Sequence, residues 1–215
     1  MKISRLISKR SKVYVLFDNE ESIYLRYDTV LKFGLKKNDE ITEKLLSRLL
    51  SEDYKLQIKE LSFRLLTRRM HSVLELKRKL IKKKFPPESV EETVSELVER
   101  NYLDDRKFAE KYSEEKLKNN KTGVIKIRAE LIQRGVDKGI IENVLAKYEN
   151  SDTVLKNALL IAQKKLSSVQ YSKTTDQKKK EKLFRFLISK GYSAEIIKNT
   201  LKKLHFDQDA ASSFD

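Results

Sequence analysis

The chain has 215 residues, 39% of them apolar and 37% charged, a balance that supports several small cores more readily than one large one. Its 47 Lys and Arg against 32 Asp and Glu leave a formal charge of +15, which attracts polyanions, acidic protein surfaces or anionic membranes. Cysteine is absent. That excludes disulfides and thiolate metal sites and is compatible with a reducing cytoplasm, the compartment expected here. No apolar run approaches the ~18 residues needed to span a bilayer.

Basic residues precede Val13-Tyr14-Val15-Leu16-Phe17, but this apolar run is shorter than the about 7–15 residues of a signal-peptide core. It reads as a strand. Residues 13–17 and 23–27 are rich in Val, Ile and Tyr and flank Asp18-Asn19-Glu20-Glu21, which predicts a hairpin. Thr29 to Phe33 fits a short helix stopped by Gly34, Lys36 to Asp39 a turn, and a further helix starts near Thr42. A lone hairpin is marginal, so it should lean on a neighbouring helix.

From about Tyr54 the pattern is helical. Ile58, Leu61 and Leu65 recur at spacings of three and four. Val73, Leu76, Leu80 and Ile81 do the same, as do Val90, Val94, Leu97 and Val98. Each set makes one apolar stripe. Ser72 followed by Glu75 is a capping box, and Pro86-Pro87 ends one helix and opens the next.

This three-helix unit then returns. A shift of 51 carries Leu76, Leu80, Phe85, Val90 and Val94 onto Ile127, Leu131, Val136, Ile141 and Leu145 without a gap. A further shift of 56 carries Leu131, Gly135, Val136, Ile141 and Leu145 onto Leu187, Gly191, Tyr192, Ile197 and Leu201. Gly135 and Gly191 mark a corner where a left-handed residue closes a helix; Lys84 holds that place in the first copy, so its corner differs or is strained. Pro86, Asp137 and Ser193 align as starts of the following helices. The prediction is a mainly α chain: three tandem three-helix repeats in an elongated arrangement, preceded by a small N-terminal β-hairpin segment. Its expected divisions are 1–53, 54–103, 104–150, 151–206 and a disordered tail, 207–215. The polar stretch Ser167 to Lys180 reads as a mobile loop or frayed helix end.

Little in the chain could carry catalysis. His71 and His205 are its only histidines and lie in different repeats, so no zinc-type cluster is expected. There is no phosphate-binding glycine loop, no Gly-x-Ser-x-Gly elbow and no thiol nucleophile. Asp104-Asp105 is the only Asp-Asp pair. Neighbours on a helix point about 100° apart, so one of them suits a helix N-cap better than a shared ion. Glu88, Glu92 and Glu96 form a row on one helix, a solvated face or a set of partners for nearby lysines. No cofactor or metal is expected.

Basic residues are the candidates for binding. Arg64 with Arg68, and Arg78 with Lys82, are like charges at i, i+4 spacing, each weakening an isolated helix by a few tenths of a kcal/mol. Phosphates or partner carboxylates would relieve that repulsion, arginine bidentately and lysine as a point charge. The candidate contacts in the first repeat are Arg64, Arg68, Arg69, Lys77, Arg78, Lys82 and Lys83. Those in the later repeats are Lys126, Arg128, Arg134, Lys182 and Arg185. Stacked repeats could align them into a stripe. Phe63, Phe85, Phe108 and Phe184 fall at core spacings, so backbone-directed, salt-sensitive binding is expected rather than base reading.

The run Leu65-Leu66-Thr67-Arg68-Arg69-Met70-His71-Ser72-x-x-Glu75-Leu76 is followed by Tyr102-Leu103-Asp104-Asp105-x-x-Phe108-Ala109. Then comes Gly123-x-x-Lys126-Ile127-x-x-Glu130-Leu131-x-x-x-Gly135-Val136. Together these resemble the RecX regulatory family over most of 54–206, and the hairpin start resembles the extra N-terminal segment of longer members. Lys84-Phe85 departs from the family's glycine corner. The resemblance implies a cytoplasmic bacterial protein that binds the RecA filament near DNA and inhibits filament growth, strand exchange, ATP hydrolysis and co-protease function. The partners it implies are the RecA filament and single- or double-stranded DNA without sequence specificity, with no membrane and a monomeric chain. An alternative is a helix-turn-helix DNA-binding regulator, which predicts specific duplex binding and usually a dimer. A nuclease would need a carboxylate cluster for a divalent metal, and none can be assembled.

Overall fold

The computed structural model describes residues 1–119, 121–169 and 175–204. His205, the tail 207–215 and the middle of the Ser167–Lys180 stretch lie outside the described residues. Two compact units are present: Met1–Met70 with Leu76–Tyr102, and His71–Glu75 with Leu103–Asp215.

The first unit opens on three antiparallel strands, β1 (Ile3–Lys9), β2 (Lys12–Phe17) and β3 (Ser22–Arg26), in the order β1-β2-β3. The hairpin predicted from residues 13–27 is β2-β3. The strand before it, β1, goes beyond that prediction, because Arg5, Ser8 and Lys9 interrupt the apolar run. Ile3 and Leu6 nevertheless turn inward, and β1 joins β2 from Ile3↔Phe17 to Lys9↔Lys12 with an irregularity between Ile3 and Arg5. Ile3, Val13, Val15, Phe17 and Leu25 face a core completed by α1 (Tyr27–Phe33) and the start of α2 (Glu43–Arg68). Gly34 closes α1 at φ 62°, and Thr42 caps α2 by accepting from the Leu45 amide.

Asp53 ties these parts together. It is 3% exposed and accepts from the Arg26 amide at 2.6 Å, the Thr29 hydroxyl at 2.7 Å and the Gln57 amide at 2.6 Å. Three donors make a buried carboxylate tolerable where an unpaired one would not be. This tie anchors the sheet to the middle of α2, one uninterrupted helix of 26 residues that runs through the expected division at 53/54.

The repeats follow: α2 with α3 (Val73–Lys82) and α4 (Pro87–Glu99); α5 (Asp105–Lys118), α6 (Val124–Gln133) and α7 (Lys138–Leu145); α8 (Asp152–Val169), α9 (Asp176–Ser189) and α10 (Ala194–Lys203). Most apolar positions matched by the 51- and 56-residue shifts are buried alike, with Phe85 only half-buried where Val136 and Tyr192 are buried. Leu80, Leu131 and Leu187 are each 0% exposed, as are Ile141 and Ile197. The match extends into the first helices, where Ile58 and Ser62 correspond to the equally buried Ala109 and Ser113. Each fully buried leucine contributes about 1.5–3 kcal/mol, so these stripes hold the units.

All three corners close alike, with Lys84 at φ 65°, Gly135 at φ 76° and Gly191 at φ 84°. In each, the left-handed residue's amide bonds to a carbonyl three residues back: Ile81, Ile132 and Ile188. Lys84 therefore adopts the strained geometry rather than a different corner. The two glycines have a second role within their own unit. A Cβ on Gly135 would lie 2.4 Å from Leu74 Cδ2, and one on Gly191 would lie 2.3 Å from Lys126 Cβ and 2.5 Å from the Lys126 amide nitrogen. Lys84 is exposed and can keep a side chain.

Gly191→Ala should therefore destabilise the chain by about 2–4 kcal/mol, combining left-handed strain with overpacking. Lys84→Gly should change stability by no more than about 1 kcal/mol. Urea unfolding of both variants checks the contrast.

Candidate functional site

The candidate cations lie on or just beyond four helices, α2, α3, α6 and α9. In the first unit Arg64 and Arg68 share a face near the C-terminal end of α2 and are exposed. The negative end of the helix dipole lies there, which offsets part of their mutual repulsion. Arg69 is the C-cap residue, and its guanidinium donates to the Met70 carbonyl at 2.8 Å. On α3, Lys77 is half-buried and paired with Glu91 at 2.6 Å, whereas Lys82 and Lys83 are exposed at the helix end. Arg78 is exposed on the same helix. Among the described residues, the side chains of Arg64, Arg68, Lys82 and Lys83 have no hydrogen bond or ion pair.

The lysines of α2 that face α4 behave differently. Lys55 meets Glu92 at 2.9 Å and Lys59 meets Glu96 at 2.7 Å, so two of the three glutamates in the row serve as lysine partners while Glu88 is exposed. The Lys59 ammonium holds the Glu96 carboxyl below the usual carboxylate range, opposed by partial desolvation.

In the second unit two candidate arginines are engaged internally. Arg128, on α6, is bidentate to Glu142 at 3.0 and 2.9 Å and also reaches Glu149 at 2.7 Å. Arg134, the C-cap of α6, pairs with Glu75, lies 4.7 Å from the Tyr112 ring centroid and meets the Tyr112 hydroxyl at 3.3 Å. Tyr112 donates to Glu130, which also pairs with Lys116 at 2.9 Å. No sequence motif announces this network. Its only local signal is the pair of i, i+4 spacings, Tyr112 with Lys116 on α5 and Glu130 with Arg134 on α6. Lys126 and Lys182 are exposed and unpaired among the described residues, and Arg185 makes a 3.4 Å contact to Glu181.

The capping residues are in place. Ser72 Oγ accepts from the Glu75 amide at 3.1 Å and donates to the Arg134 carbonyl at 2.6 Å. Asp104 caps α5, accepting from the Arg106 and Lys107 amides, while Asp105 accepts from the Val73 amide at 2.9 Å. Burial raises the Asp105 carboxyl above its ordinary value, with that amide partly opposing. Among the described residues no three His, Cys, Asp or Glu groups converge on a point.

Two of the four phenylalanines depart from the expected core role. Phe108 is 3% exposed, but Phe63 and Phe184 are 39% and 41% exposed. Phe63 rests edge-on against Tyr102 at 5.0 Å, and Phe184 lies beside Arg185 and Lys180 in a shallow depression. Helical spacing places both at the margin of an apolar stripe, where periodicity alone does not separate core from rim.

The fold defines a mainly helical protein of tandem three-helix repeats behind a small antiparallel sheet. Three family models describe its repeats: RecX, first three-helix domain, at residues 59–97; the second at 104–145; and the third at 152–201. A Regulatory protein RecX of Clostridium botulinum strain Eklund 17B is 33% identical over 205 residues, covering 94% of this chain and 95% of that one. One from Streptococcus sanguinis is 29% identical, covering 97% and 79%. A crystal structure of regulatory protein RecX superposes with a TM-score of 0.71 at 20% identity, covering 94% of this chain and 98% of that chain. The structure of RecX from Lactobacillus salivarius gives 0.64 at 21% identity, covering 72% and 98%. The chain belongs to the RecX family of regulatory proteins.

Arg64→Glu with Arg68→Glu keeps a like-charged pair but sets it against the negative helix end, so it should lower urea stability by about 1 kcal/mol. Arg134→Glu, which sets two carboxylates together in a half-buried network, should cost about 3 kcal/mol. For pH, the lowered Glu96 carboxyl contributes stability that is present above its unfolded value and disappears as pH falls through the folded one. Between about pH 5 and pH 3 the Glu96→Gln variant should lose less stability than the wild type, as read by urea midpoints at each pH.

Proposed function

We propose that this protein is a non-enzymatic regulator that binds RecA filaments on DNA and inhibits their extension, together with strand exchange, ATP hydrolysis and co-protease activity. Membership of a family of regulatory proteins supports the class, and the RecX resemblance implies RecA as partner. The observation that carries the contact surface is the set of exposed cations at the ends of α2 and α3, Arg64, Arg68, Lys82 and Lys83, without partners among the described residues. A surface of that kind meets phosphate oxygens or carboxylates through charge, and its binding is salt-sensitive and blind to base sequence.

Lys126, Lys182 and Arg185 supply further cations on the later repeats, while Lys77, Arg128 and Arg134 reach a ligand only after giving up carboxylate partners. Arg69 and Arg78 belong with the first group by position. On this reading the chain acts as a monomer in the cytoplasm, on single- or double-stranded DNA of any sequence, and a segment 1–53 precedes repeats at 54–103, 104–150 and 151–206.

Following ATP turnover by RecA on single-stranded DNA while the protein is added tests the reading. Turnover should fall to a low plateau; undiminished turnover at saturating protein rejects it. The combined charge reversal of Arg64, Arg68, Lys82 and Lys83 should raise the half-inhibitory concentration at least about ten-fold, with helicity by circular dichroism unchanged.

A further inference from the structure

The outer face of the three-stranded sheet sets outward-facing side chains in one row across three strands. Residues directly opposite in an antiparallel sheet share a face, so the pairing Ile7↔Tyr14↔Tyr24 makes one row across all three strands. Tyr24 is 63% exposed and Ile7 43%, and the Tyr14 and Tyr24 rings lie 4.8 Å apart at a 46° tilt. The Tyr14 hydroxyl donates to Ser22 Oγ at 2.7 Å, which holds its ring in place. On either side of this row stand cations: Lys9 opposite Lys12 toward the turn, and Arg5 opposite Leu16 toward the other end. Arg5, Lys9 and Lys12 are exposed and have no side-chain partner among the described residues. Arg26 ends the Lys12 row but is engaged by Glu60. No carboxylate occupies the paired positions of this face.

Like charges directly opposite on a sheet repel, so Lys9 and Lys12 form a site whose cost an anion would relieve. Aromatic rings framed by cations fit a polymer that alternates flat π-faces with phosphates, because each base can stack on a ring while its phosphate meets a lysine or arginine. A duplex hides its base faces. A folded protein partner would find cations here but would leave the tyrosine faces without a matching plane. We propose that the outer face of β1-β2-β3 is a stacking platform for single-stranded DNA, with Tyr14 and Tyr24 as the base-contacting rings and Arg5, Lys9 and Lys12 as phosphate contacts. The platform itself is independent of RecA; only the choice of DNA over RNA rests on the function proposed above.

The chain has no native tryptophan, so Tyr24→Trp installs a sole reporter on the platform. Full-length protein is titrated with a fluorescein-labelled oligo-dT of about 20 nucleotides, following anisotropy and, with unlabelled strand, tryptophan emission. The introduced tryptophan should be quenched in parallel with binding. Tyr24→Ala should weaken binding about ten-fold and Tyr24→Phe by less than about two-fold, since the ring and not the hydroxyl stacks. Lys9→Glu with Lys12→Glu should weaken it further and flatten the slope of log K against log salt by about 0.7 for each phosphate left unneutralised. Emission that stays constant while anisotropy saturates, or unchanged affinity in Tyr24→Ala, overturns the platform. So does a Tyr24→Ala variant that sediments as a monomer where the wild type is a dimer, which would assign the face to a second copy. Oligo-U that quenches more strongly than oligo-dT overturns the choice of DNA. Inhibition of RecA turnover that survives a silent reporter separates failure of this platform from failure of the filament reading.

Discussion

The repeat architecture depends on how closely one helix N-terminus can approach the left-handed corner of another helix within the second unit. The Gly123 amide donates to the Lys190 carbonyl at 2.8 Å and the Ile125 amide to the Gly191 carbonyl at 3.0 Å. The start of α6 thus meets the end of α9, and the unpaired amides of one satisfy the unpaired carbonyls of the other. Their dipoles meet head to tail, positive end against negative. The start of α3 and the end of α6 repeat the device, with Ser72 Oγ on the Arg134 carbonyl at 2.6 Å. Ser72 and Gly123 are equivalent under the 51-residue shift, and Arg134 and Lys190 under the 56-residue one. A Cβ at Gly123 would stand 2.1 Å from the Gly191 carbonyl oxygen, so backbone contact of this kind has no room for a side chain.

This mutual capping limits where ligands can bind. The N-terminus of a helix is a ready anion site, but at α3 and α6 those amides already face protein carbonyls or the carboxylate of Asp105. The cations without partners among the described residues lie instead on helix faces and at C-terminal ends, at Arg64, Arg68, Lys82 and Lys83. The same network consumes charges. Arg134 is fixed by Glu75 and Tyr112, and Arg128 by Glu142 and Glu149, so their guanidinium groups organise the repeat before they can meet any partner.

The repeats were legible because burial imposes a period on the sequence, and the unit recurs at 51 and 56 residues with Leu80, Leu131 and Leu187 in one place. The corners were legible through Gly135 and Gly191, though only as left-handed residues. Their second duty, a close approach from another helix, depends on contacts such as Gly191 with Lys126, 65 positions apart in the chain, which no local pattern records. Lys84 shows the difference: it bears the same φ with a side chain because its corner stays exposed. The reach of α2 was hidden by Asp53, whose buried carboxylate looks like a solvent-facing residue until its three donors are seen. Among the basic residues, spacing identified like-charged pairs but not their counter-charges. Glu75 and Glu149 lie 59 and 21 residues from the arginines they hold.

Strand β1 escapes the sequence pattern for a reason that bears on function. A strand with one solvated face has only every second residue apolar, and in Ile3–Lys9 even that alternation is broken by the irregularity at Ser4, whose hydroxyl turns back to the Leu16 and Phe17 carbonyls. The outward positions are then free of packing constraints, and they hold Arg5, Ile7 and Lys9. Exposed apolar residues are ordinary on a solvated face, but Lys9 opposite Lys12 repels. On the platform proposed above, a strand of alternating planes and charges lying across the face would relieve that repulsion. On the sheet Arg5, Lys9 and Lys12 frame the row Ile7, Tyr14 and Tyr24 across three strands, whereas on α2 the exposed Phe63 beside Arg64 already packs edge-on against Tyr102.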